Sequence, residues 1–154
     1  MARLAFVQPF AAGLVAGAAL LAVVAAPAQQ PAPAAAAPAA ARERAVFAVS
    51  DGDPQKWNLT LGNIGNALEA LGPDAAQLEL VAYGPGIEML KKDSPASKRV
   101  AEVLAKGVRV VACQNSMRAF HVEPADLVPG VGVVPSGVVE LMKRQHDGFA
   151  YIRS

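Results

Sequence analysis

The sequence predicts an α/β fold with three layers, in which helices cover both faces of a mainly parallel sheet of about five strands. Short apolar runs alternate with longer amphipathic segments along residues 45–154, and this alternation is typical of parallel sheets with right-handed crossover helices. The run 108–112 has no alternating polar residues, which indicates a strand that is covered on both faces. This part of the chain is roughly 110 residues long, which is enough for one hydrophobic core. We therefore expect a single domain.

The first strand is predicted at residues 45–49, with a long helix after it. Asp53 can cap this helix, and Pro54 suits its first position. Gly72 and Pro73 would end it. Apolar residues recur along the helix at steps of four and three, which predicts one buried stripe: Trp57, Leu61, Ile64, Leu68 and Leu71.

The remaining elements follow from similar signals. A second strand is expected at 78–83, closed by Gly84-Pro85-Gly86. A second helix would run through residue 104, with Ser94 as its cap, Pro95 at its start and Gly107 at its end. The later elements are a strand at 108–112, a short helix to about Phe120, a turn at Glu123-Pro124, a strand at 131–134, a helix at 136–146 and an edge strand at 149–152.

Residues 1–28 have the pattern of a secretory signal peptide. Arg3 supplies a positive start, residues 14–26 are almost all apolar or small, and Ala26-Pro27-Ala28 offers a small-residue cleavage pattern. A retained membrane anchor is the alternative, because the apolar or small run 10–26 is close to the roughly 17 residues that span a bilayer. We expect a periplasmic, exported protein that contacts a membrane only if this leader is retained.

Residues 29–44 are predicted to be a flexible linker, because most of them are Ala and Pro and cannot bury enough apolar surface to fold. The folded domain is then 45–154. The chain has 14 basic and 13 acidic residues, with a formal net charge of +1. Without a basic stripe, nucleic-acid binding is not expected.

Cys113 is the candidate reaction centre. It is the only cysteine, so it cannot form a disulfide within its own chain. It follows a predicted strand, and the carboxyl ends of parallel strands are where sites gather in such sheets. A reactive thiol must ionise. Asn115 or Ser116 capping the next helix would place Cys113 beside a positive helix end, and Arg118 would add a positive charge.

Three other residues are candidates for a supporting role at the same edge. The Trp57 side chain could line the site and limit the access of water to a labile sulfur. The alternative is that Trp57 only packs in the core. Gly84 and Gly86 could let backbone approach an anion, yet the segment has neither a Walker lysine nor a dinucleotide-binding fingerprint. A tight turn is the alternative for these two glycines.

A metal site is a second possibility, because Cys113, Met117 and His121 are spaced by four and four. One unbroken helix would place them on one face, and sulfur with imidazole suits copper. Cys113 is expected to precede the helix, however, and Pro124 limits its length. We therefore expect neither a metal nor a cofactor.

Several segments together resemble the DsrE/DsrF-like sulfur-relay family, in particular its exported, periplasmic branch. The cysteine segment carries most of this resemblance, which extends over residues 45–152. The segments are Ser50-Asp51-Gly52-Asp53, Trp57-Asn58-Leu59, Asn63-Ile64-Gly65-Asn66, Tyr83-Gly84-Pro85-Gly86, Val111-Ala112-Cys113-Gln114-Asn115-Ser116-Met117 and Leu127-Val128-Pro129-Gly130-Val131.

The resemblance implies a DsrE/F-like domain with flavodoxin-like winding that assembles into homo-oligomers, often trimers or hexamers. It also implies that Cys113 accepts sulfane sulfur as a persulfide, from a donor and for an acceptor that the sequence does not identify. The protein would then be an exported sulfur carrier, and whether it is a sulfurtransferase-like enzyme is left open. The alternative is a non-catalytic homo-oligomeric module that binds a small ligand or copper and whose cysteine is structural.

Overall fold

The computed structural model describes residues 42–154. The predicted signal peptide and most of the predicted linker lie outside the described residues. The first strand begins at Glu43, two residues earlier than expected. Glu43 and Arg44 pair with Ala76 and Gln77 of the next strand, which extends the ladder into polar, exposed residues.

The described residues form five strands and four α-helices. The strands are β1 (Glu43–Val49), β2 (Ala76–Ala82), β3 (Arg109–Cys113), β4 (Gly132–Val134) and β5 (Ala150–Arg153). The helices are α1 (Pro54–Leu71), α2 (Ser97–Ala105), α3 (Gln114–Ala119) and α4 (Gly137–His146). Two 3₁₀ helices, Gly84–Leu90 and Pro124–Asp126, complete the connections.

The five strands form one parallel sheet in the order β4-β3-β2-β1-β5. The predicted α/β class and the parallel sheet of five strands are therefore confirmed. The chain is doubly wound, but its order differs from the 2-1-3-4-5 order of flavodoxin. The first four strands progress in one direction, and the chain then crosses the sheet through α4 to place β5 beside β1.

The two faces of the sheet are covered unequally. One face packs against α1, α2, α3 and the first 3₁₀ helix, and together they form the larger hydrophobic core. The opposite face packs against α4, which contributes Leu141 to a smaller core with Val46, Val81 and Val111. Alternate residues of the central strands point into the two cores, as expected for strands that are covered on both sides.

The capping predicted for α1 is confirmed, since the Asp53 carboxylate accepts a 2.8 Å hydrogen bond from the Gln55 N–H. The first four residues of the predicted stripe are buried. Leu71 is 41% exposed, so its assignment to the core was wrong. It is the last residue of the helix, where the chain turns away at Gly72.

Three other boundaries differ from the sequence prediction. Helix α2 begins at Ser97 rather than at Pro95, and Ser94 Oγ instead accepts from the Ala96 N–H in the preceding turn. The segment after β2 continues as a 3₁₀ helix instead of a simple turn. Cys113 itself is the N-cap of α3, so neither Asn115 nor Ser116 caps that helix. None of the helices within residues 42–154 is long and apolar enough to cross a membrane.

Candidate thiolate site

Cys113 is the last residue of β3 and directly precedes α3, so it lies at the carboxyl edge of the sheet. It is a free cysteine, and only 5% of its surface is exposed. The strands on either side of β3 bring two other segments close to Cys113. In the parallel register, Cys113 pairs with Val134 of β4, and Ala112 pairs with Ala82 of β2. The segments that follow β2 and β4 therefore lie on either side of the thiol.

Hydrogen-bond donors near Cys113 lower the pKa of its thiol. Burial by itself raises the pKa of this thiol, because an apolar environment disfavours the thiolate. Hydrogen bonds from the Ser116 hydroxyl and from the backbone N–H groups of Gly137, Ser116 and Asn115 act in the opposite direction, and the pKa is held below its ordinary value. The site therefore favours the anion through directed donors, although it is nearly closed to solvent.

Ser116 is held in place by a residue from a different loop. Its hydroxyl oxygen accepts a 2.7 Å hydrogen bond from the Gly84 N–H. A serine hydroxyl has only one proton. The Gly84 N–H donates to the hydroxyl oxygen and leaves the hydroxyl proton unused. The Ser116 hydroxyl can therefore donate that proton to Cys113. Gly84, Ser116 and Cys113 thus form a chain of donors that ends at the sulfur, and the structure brings these three predicted residues together.

Gly137, the first residue of α4, is a member of this site that the sequence reasoning missed. Its backbone N–H is one of the donors that lower the pKa of the Cys113 thiol. A Cβ atom at this position would lie 3.0 Å from Tyr83 Cβ and 3.2 Å from Cys113 Cβ, which is tighter than most real Cβ contacts. The absence of a side chain therefore lets the start of α4 approach the thiol. The Pro135-Ser136-Gly137 turn after β4, the strand next to β3, was the available signal.

The other predicted residues lie farther from the sulfur or act differently. The Asn115 side chain accepts a hydrogen bond from the Arg118 guanidinium, and both side chains are exposed. Asn115 acts on the thiol through its backbone N–H. Arg118 is not among the groups that shift the pKa of Cys113. Trp57 is buried, and its Nε1 donates to the Asp51 carbonyl at 2.6 Å, so it anchors the loop after β1. Gly86 packs against Val49 at the end of β1.

The three residues of the copper alternative are not on one helical face. Cys113 precedes α3, Met117 is buried within it, and His121 follows its end with a φ of 54°. Met117 and His121 line a cavity of about 370 Å³ beside α3 that Cys113 does not line. Within residues 42–154, no group of three or more His, Cys, Asp and Glu side chains is placed to hold a metal ion. A groove of about 980 Å³ lies between α1 and α2, away from the thiol.

Comparison with known proteins agrees with the fold and extends over the whole described domain. The sequence model of the DsrE/DsrF-like family matches residues 43–153. The structure of MTH1491 from Methanobacterium thermoautotrophicum, a protein of unknown function, is 38% identical, with a TM-score of 0.69 over 73% of this chain and 99% of that one. No curated protein matches the chain.

Two further structures share the fold at low identity. The ychN protein from E. coli is 14% identical, with a TM-score of 0.62 over 73% of this chain and 99% of that one. BT1422 from Bacteroides thetaiotaomicron, a conserved protein of unknown function, is 15% identical, with a TM-score of 0.55 over 71% and 94%. The family match and the 38% identity over almost all of MTH1491 decide the assignment. The chain belongs to the DsrE/DsrF-like family, and this membership suggests a role related to sulfur relay.

Proposed function

We propose that the protein is an exported sulfur carrier that holds sulfane sulfur as a persulfide on Cys113. The observation that carries this proposal is the set of hydrogen-bond donors around the thiol, which lowers its pKa in spite of burial. A structural cysteine in the core needs no such donors, because free cysteine packs as a small apolar residue. The leader pattern of residues 1–28 supports the exported location.

The proposed chemistry needs one thiolate and a donor that contains sulfane sulfur. The Cys113 thiolate attacks a sulfur atom of a polysulfide, one sulfur–sulfur bond forms, and the bond to the rest of the polysulfide breaks. The shortened polysulfide leaves with the electron pair, so no external oxidant is needed. A single cysteine suffices, since the sulfur then passes to a thiolate of an acceptor by the same exchange.

Intact mass spectrometry tests the proposal. After incubation with polysulfide, the wild-type protein is expected to gain the mass of one sulfur atom and to lose it on treatment with a reducing thiol. Cys113→Ser should gain none. The same spectrum, taken on protein purified from the producing cells, reports whether the leader has been removed. A wild type without the added mass, or an equal gain in Cys113→Ser, would refute carriage and favour the structural cysteine.

We also propose that α4 lies at the contact between subunits of a homo-oligomer, a trimer or a hexamer. Helix α4 is the one helix on its face of the sheet within the described residues, and its outer surface carries exposed apolar side chains. Exposed apolar side chains continue onto the edge strand β5, which supports a protein partner at this face. They are Val138, Val139 and Met142 on α4 and Tyr151 on β5.

Lysine substitutions on α4 test this assembly. Val138→Lys combined with Met142→Lys is expected to convert the oligomer into a monomer, because burying two ammonium groups at an interface is costly. Leu59→Lys is the matched control, since Leu59 on α1 is as exposed as Val138, at 54%. Light scattering coupled to size-exclusion chromatography measures the mass. A monomeric wild type, or equal dissociation of the control, would contradict the proposal.

A further inference from the structure

Four charged side chains form a cluster between α4 and the sheet. Glu79 of β2 and Glu140 of α4 are both buried, and Glu79 is only 2% exposed. Arg109 Nη1 of β3 lies 2.5 Å from Glu79 Oε1 and 2.7 Å from Glu140 Oε1. Arg144 of α4 contacts the same two carboxylates, at 2.6 Å through Nε and 2.8 Å through Nη2. The cluster therefore joins α4 to two adjacent strands.

The four charges balance, although not every contact has ideal geometry. The Arg144 Nε atom approaches the Glu79 carboxylate without the angle of a hydrogen bond, so this contact is an ion pair only. Burial raises the pKa of the Glu79 carboxyl group above its ordinary value, against the effect of Arg109 and Arg144. A well-packed apolar set could replace such a cluster at little cost in stability. Stability alone therefore does not explain why buried charges lie there.

The position of the cluster suggests a different reason for the buried charges. Helix α4 and strand β3 contact each other at two places. Arg109 is the first residue of β3, and Cys113 is the last. Gly137 is the first residue of α4, and Glu140 follows it by about one turn. Gly137 meets Cys113 at the carboxyl edge of the sheet, and Glu140 meets Arg109 at the other end of the strand.

Apolar packing alone would fix the position of α4 poorly. Leu141 is the residue of α4 that belongs to the buried core on this face, and hydrophobic contacts are not directional. Ion pairs with hydrogen bonds have fixed geometry, and setting the register of a helix is the best-attested role of buried polar groups. A small shift of α4 would move the Gly137 N–H away from the sulfur, since a hydrogen bond weakens steeply with angle.

We propose that Glu79, Arg109, Glu140 and Arg144 are positioning residues that hold the first N–H group of α4 against the sulfur of Cys113. The cluster then controls how reactive the thiol is from the opposite end of β3. This inference builds on the proposed carrier function, because that function gives the thiolate a role. The arrangement of α4 against the thiol can nevertheless be measured without any sulfur donor.

Glu140→Gln is the informative substitution, because two physical effects predict opposite signs. Removal of a nearby carboxylate lowers the pKa of a thiol by weakening charge repulsion. Displacement of α4 raises the pKa of Cys113, because the thiolate loses the donor from Gly137. We expect a rise of about one unit, which is about tenfold less thiolate below the pKa. The ultraviolet absorbance of the thiolate as a function of pH measures it.

Two further variants complete the experiment. Glu79→Gln disconnects the cluster from β2 and should raise the pKa of Cys113 in the same way, so it serves if Glu140→Gln does not fold. Glu69→Gln on α1 removes an exposed carboxylate outside the cluster and should leave the pKa unchanged. Circular dichroism confirms folding in each case.

The outcomes separate this inference from the carrier function. An unchanged or lowered pKa in folded Glu140→Gln and Glu79→Gln would overturn the positioning role, whether or not the wild type takes up sulfur. If the pKa rises in both but the wild type accepts no sulfur from polysulfide, the positioning role stands and the carrier function fails.

Discussion

Ser116→Ala is expected to raise the pKa of Cys113 by about one unit and to slow its reaction with a small alkylating reagent about tenfold at a pH below the pKa of the wild-type thiol. The Ser116 hydroxyl is the one side-chain donor among the groups that stabilise the thiolate. Loss of this hydrogen bond shifts the equilibrium toward the neutral thiol. The rate of alkylation as a function of pH measures the thiolate fraction directly.

The lowered pKa of Cys113 determines how the rate of its alkylation changes with pH. The reaction of wild-type protein should increase with pH until the pH passes the lowered pKa of Cys113, and then level off. In Ser116→Ala the same curve should move to higher pH. At a pH above both pKa values the two rates should converge, because both thiols are then ionised. A difference that persists there would mean that Ser116 controls access instead of ionisation.

Asn115→Ala provides the matched control for this substitution. Asn115 acts on the thiol through its backbone N–H, and its side chain contacts Arg118 instead. Removal of that side chain should leave the pKa of Cys113 unchanged. Because Ser116→Ala also deprives the Gly84 N–H of its acceptor, we expect a loss of about 1–3 kcal/mol in unfolding free energy. An unchanged pKa in folded Ser116→Ala would refute the proposed role of the hydroxyl.

Gly86→Ala is expected to destabilise the protein by about 3 kcal/mol, the upper end of the cost of overpacking. An added Cβ would lie 2.4 Å from the Val49 carbonyl oxygen and 2.8 Å from its carbonyl carbon. These are backbone atoms at the end of β1, so they cannot rotate away as a flexible side chain can. Denaturation by urea, followed by circular dichroism, gives the free energy of unfolding.

Gly65→Ala is the control, and we expect it to raise the free energy of unfolding, whereas Gly86→Ala lowers it. Gly65 lies within α1, and an added Cβ has no heavy atom within 4 Å. Alanine should therefore stabilise the protein by about 0.5–1 kcal/mol, through its higher helix propensity. If Gly86→Ala proved as stable as wild type, the close approach of the 3₁₀ helix to β1 would not be a constraint on the fold.

Local sequence patterns were sufficient for most of the secondary structure. Asp53-Pro54 and Gly72 mark the ends of α1 because capping depends on neighbouring residues. The edge position of β5 was also predicted correctly. Leu71 was misassigned because its step in the stripe does not show that the helix ends there. The start of α2 was misplaced because Ser94 forms a local turn with similar hydrogen bonds.

The surroundings of Cys113 were harder to predict, because they depend on the register between strands. Gly84 contacts Ser116, and Gly137 reaches the thiol, from segments about 30 and 24 residues from Cys113 along the chain, which no local pattern relates to each other. The sequence placed a helix start near the cysteine, but the cap is Cys113 itself. The buried carboxylates of Glu79 and Glu140 were missed because, in sequence, each reads as an ordinary charged residue.

The near-complete enclosure of Cys113 has a kinetic consequence. A donor molecule reaches a residue that is 5% exposed less often than it reaches an open thiol, so local fluctuations of the surrounding backbone affect the rate of exchange. The same enclosure would slow attack by peroxide and other oxidants. A thiol whose ionisation is favoured can then persist without being consumed, at the expense of slow exchange with its partners.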